Sequence, residues 1–248
     1  MQWKHKCKLD WLIERHNYLS ASEVMALVPV TKTGRPRKVT DLDYLKVYAN
    51  KLTELTEEDC WSYNEMARGH LLEPYAIKSF NELGLDELFH WDDRIVASGI
   101  PGSLAFSPDA LDVPMGEERA IVKATSIGEV KSYNASRHFT TAQMPRGEIE
   151  ERWQIATAMA VANKIDDGYL ILYNPNVIKR YQLYVVEFDR MSLENEIEMI
   201  LEVEDKWKDF IASMPCDVSK VDGRFFGPSV DSFEDIVEEI EQRQRLNP

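Results

Sequence analysis

Residues 120–132 form an apolar-rich run that closes with an acid and a base two positions apart, Glu129 and Lys131. On a strand, alternate side chains leave the same face, so both charges project from one side of the sheet this run joins. An earlier run, residues 103–112, also alternates like a strand and contains Ser107-Pro108-Asp109-Ala110-Leu111. A hairpin between the two runs would set Asp109 beside Glu129. The pattern therefore calls for a sheet that gathers two carboxylates and one ammonium on a single face.

Two carboxylates and an ammonium in that arrangement suit a Mg²⁺ ion, a water and a scissile phosphate. Carboxylates are hard oxygen ligands for such an ion. A bound metal lowers the pKa of its water and offsets charge on a phosphate. Lys131 would orient or deprotonate the water, or stabilise the developing charge. Singly, each piece has a plainer reading. Glu129 and Lys131 would also make a surface cross-strand ion pair, and Asp109 an ordinary turn residue after Pro108. A second Glu-x-Lys, Glu204-Asp205-Lys206, falls in a run of helical periodicity, where a solvated face is expected. The order of the pieces favours the chemical reading: Glu73 upstream, then Ser-Pro-Asp, then Glu-x-Lys about 20 residues on, then Gln154 on a helix.

The rest of the chain supplies a frame for that face. Residues 19–28 read as a short helix opened by a capping box, Ser20-x-x-Glu23. Residues 31–40, with Lys32, Gly34, Arg35, Pro36, Arg37 and Lys38, form a basic loop that either contacts nucleic acid or is a solvated linker. Helices are expected at 41–56 and 61–83, with a kink or break near Glu73 because Pro74 follows it. Strands are expected at 93–100 and 103–112, joined by Pro101-Gly102, and again at 120–132, 168–174 and 180–188. Helices at 147–164, 192–213 and 231–245 complete an α/β fold: a central mixed β-sheet flanked by helices. With 44% hydrophobic residues the 248-residue chain can bury one large core. We read one domain, with a helical N-terminal flank (about 1–90), a catalytic sheet core (about 91–190) and an acidic helical tail (about 191–248).

The order Pro-Asp followed by Glu-x-Lys is that of PD-(D/E)XK nucleases, whose sheet core is the restriction-endonuclease-like fold. Within that superfamily the chain resembles the lambda-type phage alkaline exonucleases, the YqaJ-like viral recombinase family. The resemblance runs from about Arg15 to about Arg190. It includes the segment Arg15-His16-Asn17-Tyr18-Leu19-Ser20-Ala21-Ser22-Glu23-Val24 and the Ser-Pro-Asp and Glu-x-Lys segments. Arg137, Trp153-Gln154, Tyr173-Asn174-Pro175 and Tyr184-Val185-Val186-Glu187 follow.

The resemblance implies a Mg²⁺-dependent enzyme, Mn²⁺ substituting, with two ions per site. Asp109, Glu129, the backbone carbonyl of Val130 and Glu73 would be metal ligands, and Lys131 and Gln154 would act beside them. Arg15 and Ser22, seven residues apart as in the related exonucleases, would hold a terminal 5′-phosphate, and Arg137 would contact DNA. Ser22 would present it to the first turn of the short helix, where unpaired N–H groups attract anions. The implied activity is 5′→3′ digestion of one strand of linear double-stranded DNA to mononucleotides, leaving a 3′ single strand for recombination. The implied assembly is a homotrimer working with a single-strand annealing protein, phage or prophage encoded, in a bacterial cytosol. Two rivals remain at this point: a PD-(D/E)XK endonuclease, and a DNA-binding structural protein with a dead site.

A net charge of −14 looks unsuited to a DNA-binding chain, since neutralising phosphates drives affinity. Its distribution answers the objection in part. Residues 1–40 carry 8 Lys/Arg against 3 Asp/Glu, whereas residues 187–248 carry 7 against 17. A basic lip with an acidic far side would hold DNA locally, and the acidic tail equally suits plain solubility. Cys7, Cys60 and Cys216 are too few and too scattered for a disulfide framework or a four-thiolate cluster, and a reducing cytosol fits best. No apolar run is long enough for a membrane span, and Lys4, Lys6, Lys8 and Asp10 interrupt any signal-peptide core. No phosphate-binding Gly-x-x-x-x-Gly-Lys motif is present, so ATP-driven unwinding is not expected. The five histidines show no metal-ligand spacing and are expected to be structural or solvated. Trp3, Trp11, Trp61, Trp91 and Trp207 are expected in the core or an interface rather than as base-stacking platforms.

Overall fold

The structure is a computed structural model that describes residues 4–31, 34–53, 55–56, 58–91, 94–99, 102–115 and 123–213. Most of them belong to one compact unit, Met1–Ala212. The helix expected at 231–245 and the residue Cys216 lie outside the described residues, as do Lys32 and Pro101.

The site rests on a five-stranded mixed sheet. Its strands are β4 (Phe89–His90), β7 (Ala110–Leu111), β8 (Ser126–Lys131), β9 (Asp167–Tyr173) and β10 (Leu183–Asp189), in the order β10-β9-β8-β7-β4. Only the β8–β9 pair is parallel; the other three are antiparallel. Period-2 alternation decides what each face carries. Ile127, Leu170 and Leu172 join the larger core, while Ala110, Val130 and Ile171 join a smaller one on the other side. Two helices supply those cores. Helix α6 (Arg152–Val161) is buried almost all round, with Trp153, Ile155, Ala156 and Met159 fully inaccessible. Helix α4 (Glu65–Asn81) sends Ala76, Ile77 and Phe80 into the smaller core.

Two glycines permit these close approaches. A Cβ on Gly168 would stand 2.3 Å from Ile155 Cγ2, so α6 can lie against β9 only because that position has no side chain. A Cβ on Gly128 would stand 2.9 Å from Leu88 Cδ1 and 3.3 Å from Ala110 Cβ, so the residue before Glu129 is small because β7 and Leu88 crowd it.

The remaining described elements frame that layer. A short ribbon pairs β1 (Lys4–Lys6) with β3 (Trp61–Tyr63), and a second sheet pairs β2 (Leu19–Ser20), β6 (Leu104–Phe106) and β5 (Val96–Ala97). Between them run helices α1 (Leu9–His16), α2 (Ala21–Val24), α3 (Asp41–Lys51), α5 (Ala135–Ala142) and α7 (Glu194–Ser213).

The structure revises several expectations. The run 103–112 is two strands, β6 and β7, in different sheets. Ser107-Pro108-Asp109 makes the step between them, where Pro108 has no N–H for a ladder. The helix at 19–28 is a single turn, although its capping box forms as expected. Pro74 does not break α4, which continues from Glu65 to Asn81. Burial of Ala67 and Arg68 before it, and of Ala76, Ile77 and Phe80 after it, ties both halves to the sheet and offsets the lost hydrogen bond. The segment at 61–63 is a strand, β3, and α4 begins only after Asn64, whose φ of 55° turns the chain.

Candidate active site

The pairing of β7 with β8 sets Ala110 opposite Gly128 and Leu111 opposite Ile127, which carries Asp109 up beside Glu129. Asp109 Oδ2 accepts a 2.8 Å hydrogen bond from the Val130 N–H, so its carboxylate is aimed across the two strands. Glu129 is buried and pairs with Lys131 Nζ, the neighbour two residues on that shares its face. Glu73 reaches the same region from α4. Its Oε1 lies 3.1 Å from His70 Nδ1 and its Oε2 lies 3.5 Å from His90 Nε2.

Crowding three acids has visible electrostatic consequences. Burial raises the Asp109 pKa well above the ordinary carboxylate value, and the Glu129 and Glu73 charges raise it further, against the Lys131 ammonium and the Val130 N–H. Burial also opposes ionisation of Glu73. Hydrogen bonds from His70 and His90 outweigh that opposition and bring its pKa down to about 2. Burial would lower the Lys131 pKa, but the Glu129 and Asp109 carboxylates more than offset it, so Lys131 is firmly charged. Asp109 is the acid whose ionisation the cluster opposes.

Glu73 and Lys131 open onto a cleft of about 730 Å³ whose walls also include Ser22, Val130, Arg137 and Gln154. A side pocket of about 60 Å³ adjoins it, touched by Arg15, Ser22, Glu129 and Gln154. Helix α6 is buried on both sides of Gln154 and presents that side chain to both cavities. Arg15 donates to Ser22 Oγ at 2.9 Å, and Ser20 Oγ lies 3.2 Å from the same oxygen. Helix α2 is a single turn, and its capping box engages the Ser20 and Glu23 N–H groups. The Arg15 guanidinium and the Ser22 hydroxyl are the side-chain donors at this corner.

Arg137 rests over the Tyr133 ring, 4.0 Å from its centroid, and its Nη2 lies 3.4 Å from Glu151 Oε1. Tyr133 donates its hydroxyl to the same carboxylate, and burial together with that contact pushes the phenol pKa up. More than half of the Arg137 side chain stays exposed, at 55%, leaving donors free to face the cleft.

The donor chemistry fits a hard divalent cation: Asp109 feels the charges of both Glu129 and Glu73, and a 2+ charge would relieve that repulsion. The ligand cage is not preformed, since no group of three His, Cys, Asp or Glu among the described residues stands in metal-holding geometry. Glu129 is turned to Lys131, and Glu73 to two histidines. Sequence reasoning placed His70 and His90 among structural or solvated histidines, yet both touch a candidate ligand. His70 could have been found from its i, i+3 spacing to Glu73 on a helix. His90 could not, because it reaches Glu73 through the pairing of β4 with β7.

No protein-family model matches the chain, and no curated protein matches it significantly. Solved structures do. An alkaline exonuclease (LHK-Exo) from Laribacter hongkongensis superposes with a TM-score of 0.55 at 18% identity, over 83% of this chain and 97% of that one. LHK-Exo in complex with dAMP gives a TM-score of 0.54 at 17% identity, over the same shares. The fold is therefore that of an alkaline exonuclease, a mixed α/β architecture shared at low sequence identity. Among the described residues no helix is long and apolar enough to cross a membrane.

Proposed function

We propose that this chain is a Mg²⁺-dependent 5′→3′ exonuclease acting on ends of double-stranded DNA, with Mn²⁺ substituting for Mg²⁺. The observation that carries the reading is the meeting of Glu129 and Lys131 on β8, Asp109 just before β7 and Glu73 on α4 of an alkaline-exonuclease fold, next to an open cleft that Glu73 and Lys131 line. Asp109, Glu129, Glu73 and the Val130 carbonyl would hold up to two ions, which supply a water of lowered pKa and charge compensation on the phosphate. The chain's own groups do the rest. Lys131, kept cationic between two carboxylates, orients the attacking water and balances negative charge as it builds on the phosphoryl oxygens. Gln154 fixes the water or a phosphate oxygen from the α6 side. Arg15 and Ser22 hold the terminal 5′-phosphate, the guanidinium through paired hydrogen bonds. Arg137 grips the neighbouring backbone. A neighbour that binds dAMP supports release of mononucleotides.

Digestion of a 5′-phosphorylated linear duplex, with and without chelator, tests the reading. Mononucleotides should appear only with Mg²⁺, a covalently closed circle should survive, and Arg15→Ala should slow the 5′-phosphate substrate far more than its 5′-hydroxyl counterpart. Cutting of the circle would instead identify an endonuclease. The same family likeness leads us to propose a homotrimer that encloses DNA, partnered by a single-strand annealing protein. Ile178 and Met191, 70% and 85% exposed, offer apolar surface for such contacts. A monomer mass by light scattering would overturn the ring.

A further inference from the structure

The ribbon β1–β3 has two unlike faces. The register pairs Lys4 with Tyr63 and Lys6 with Trp61, and directly paired residues share a face, so two ammoniums and two aromatic rings lie together on one side. The Cys7 N–H donates to the Cys60 carbonyl at 3.0 Å and carries the pairing one step further, and exposure alternates through Lys8. Three lysines thus recur at every second residue, about 7 Å apart, on the outer face. Lys4 Nζ rests 3.8 Å from the Trp61 ring centroid and 5.7 Å from that of Tyr63. Trp61 was expected in a core or interface; it is only half-buried, and Tyr63 is exposed. On the inner face His5 stacks on His70 with ring centroids 4.7 Å apart, and His70 lines the large cleft. Strand β3 then passes through Asn64 into the first turn of α4, where Glu65 and Met66 form part of the cleft wall. The ribbon is therefore continuous with the rim of the candidate active site.

We infer that the outer face of this ribbon is a binding track for single-stranded DNA, an inference that deepens the exonuclease reading and rests on it. A protein of net charge −14, whose cleft also carries Glu65, Glu150 and Glu151, must take its hold on phosphates from local cationic surface. Evenly spaced lysines serve that purpose along an extended strand. The rings select unpaired DNA: base–aromatic stacking needs an open π-face on the base, and a flat ribbon offers aromatic surface without sequence preference. Binding exchanges one stacking partner for another. The Lys4 ammonium leaves the indole for a phosphate, and a base takes its place over Trp61 or Tyr63. The Asp59 carboxylate, just before β3, is turned back onto the Thr56 N–H and hydroxyl.

Fluorescence anisotropy with a labelled oligothymidylate, in chelator so that no strand is cut, tests the track on the intact chain. Lys4→Ala/Lys6→Ala should weaken binding about tenfold at low salt and flatten the log–log salt slope by roughly 1.4, the share of two phosphate contacts on a single strand. Tyr63→Ala should weaken binding about fivefold or more with the slope unchanged. All three side chains are exposed, and unchanged circular dichroism and melting would confirm that the variants fold. Wild-type affinity in both variants would overturn the inference, as would wild-type protein that does not bind the oligonucleotide. Equal weakening toward a blunt hairpin duplex would overturn it too, by marking a general basic patch. A wild-type protein that binds this strand but releases no nucleotide with Mg²⁺ would refute the exonuclease reading and leave the track standing.

Discussion

The chain contains the tripeptide Glu-x-Lys where it matters twice, and the two copies do opposite work. In β8 the period is two, so Glu129 and Lys131 share a face, touch each other, and stand beside a third charge, Asp109. In α7 the period is 3.6, so Glu204 and Lys206 diverge. Glu204 is buried, accepting from the Leu104 N–H at 3.0 Å and the Ser98 hydroxyl at 2.8 Å, with Lys208 at 3.0 Å one turn on. Lys206 points to solvent and pairs with Glu202 across an exposed turn. One oxygen of Glu204, Oε1, takes all three contacts and fastens α7 to the β5–β6 region. The carboxylates around Asp109 are crowded against one another instead. Identical residues and spacing thus yield a brace on a helix and, on a strand, the charged cluster proposed above to carry the chemistry.

The sharpest way to break this contrast is to neutralise each glutamate by itself. Glu129→Gln should cut digestion about a thousandfold or more, because losing a ligand and a partner of Lys131 removes several kcal/mol of transition-state stabilisation. Asp109→Ala and Lys131→Ala should fall as far, with folding and DNA binding kept. Glu204→Gln should digest at near wild-type rate. A Glu129→Gln enzyme that turns over normally would remove β8 from the chemistry.

The second comparison exchanges activity for stability. Glu204→Ala leaves the buried Leu104 N–H without its acceptor, while the exposed Ser98 hydroxyl can turn to water, and should cost about 1–3 kcal/mol, read by chemical denaturation. Lys206→Ala, an exposed i, i+4 pair, should change stability by less than about 0.5 kcal/mol. Equal losses in the two variants would mean that Glu204 braces nothing.

The error over Glu204 shows where the sequence was legible. The strand face was readable because period two and Pro108 leave few choices: Asp109, Glu129 and Lys131 meet as the alternation demands. Gln154, Arg15 and Ser22 also reach the cavities, for reasons that lie in the resemblance to related chains and not in their local pattern. Glu204 was misread as solvated because a charged residue in a helix is usually exposed. The correcting signal was present: Ile197, Ile200, Glu204 and Trp207 recur at helical spacing, so the acid sits in the buried stripe. His90 carried no signal at all, since its two-residue strand meets β7 only in the folded sheet.

The smallest expected effect sharpens the contrast from the other side, by asking what the crowded cluster costs the fold. The Asp109 pKa is raised by burial and then by Glu129 and Glu73. A group raised in the folded state contributes its full stability below the unfolded carboxyl value, near pH 4, and loses it as pH climbs through the higher native value. Asp109→Asn removes that loss while its amide oxygen can still accept from the Val130 N–H. In chelator at pH 8 the variant should therefore melt above the wild type, by on the order of a few degrees for a unit of this size. At pH 4, where the native aspartate is protonated, the difference should close. Mg²⁺ should then raise the wild-type Tm by binding the folded state, and leave the variant nearly unmoved. A variant that melts lower at pH 8 would show that the aspartate is structurally favourable, as Glu204 is, and the distinction between brace and reactive cluster would fail at its central residue.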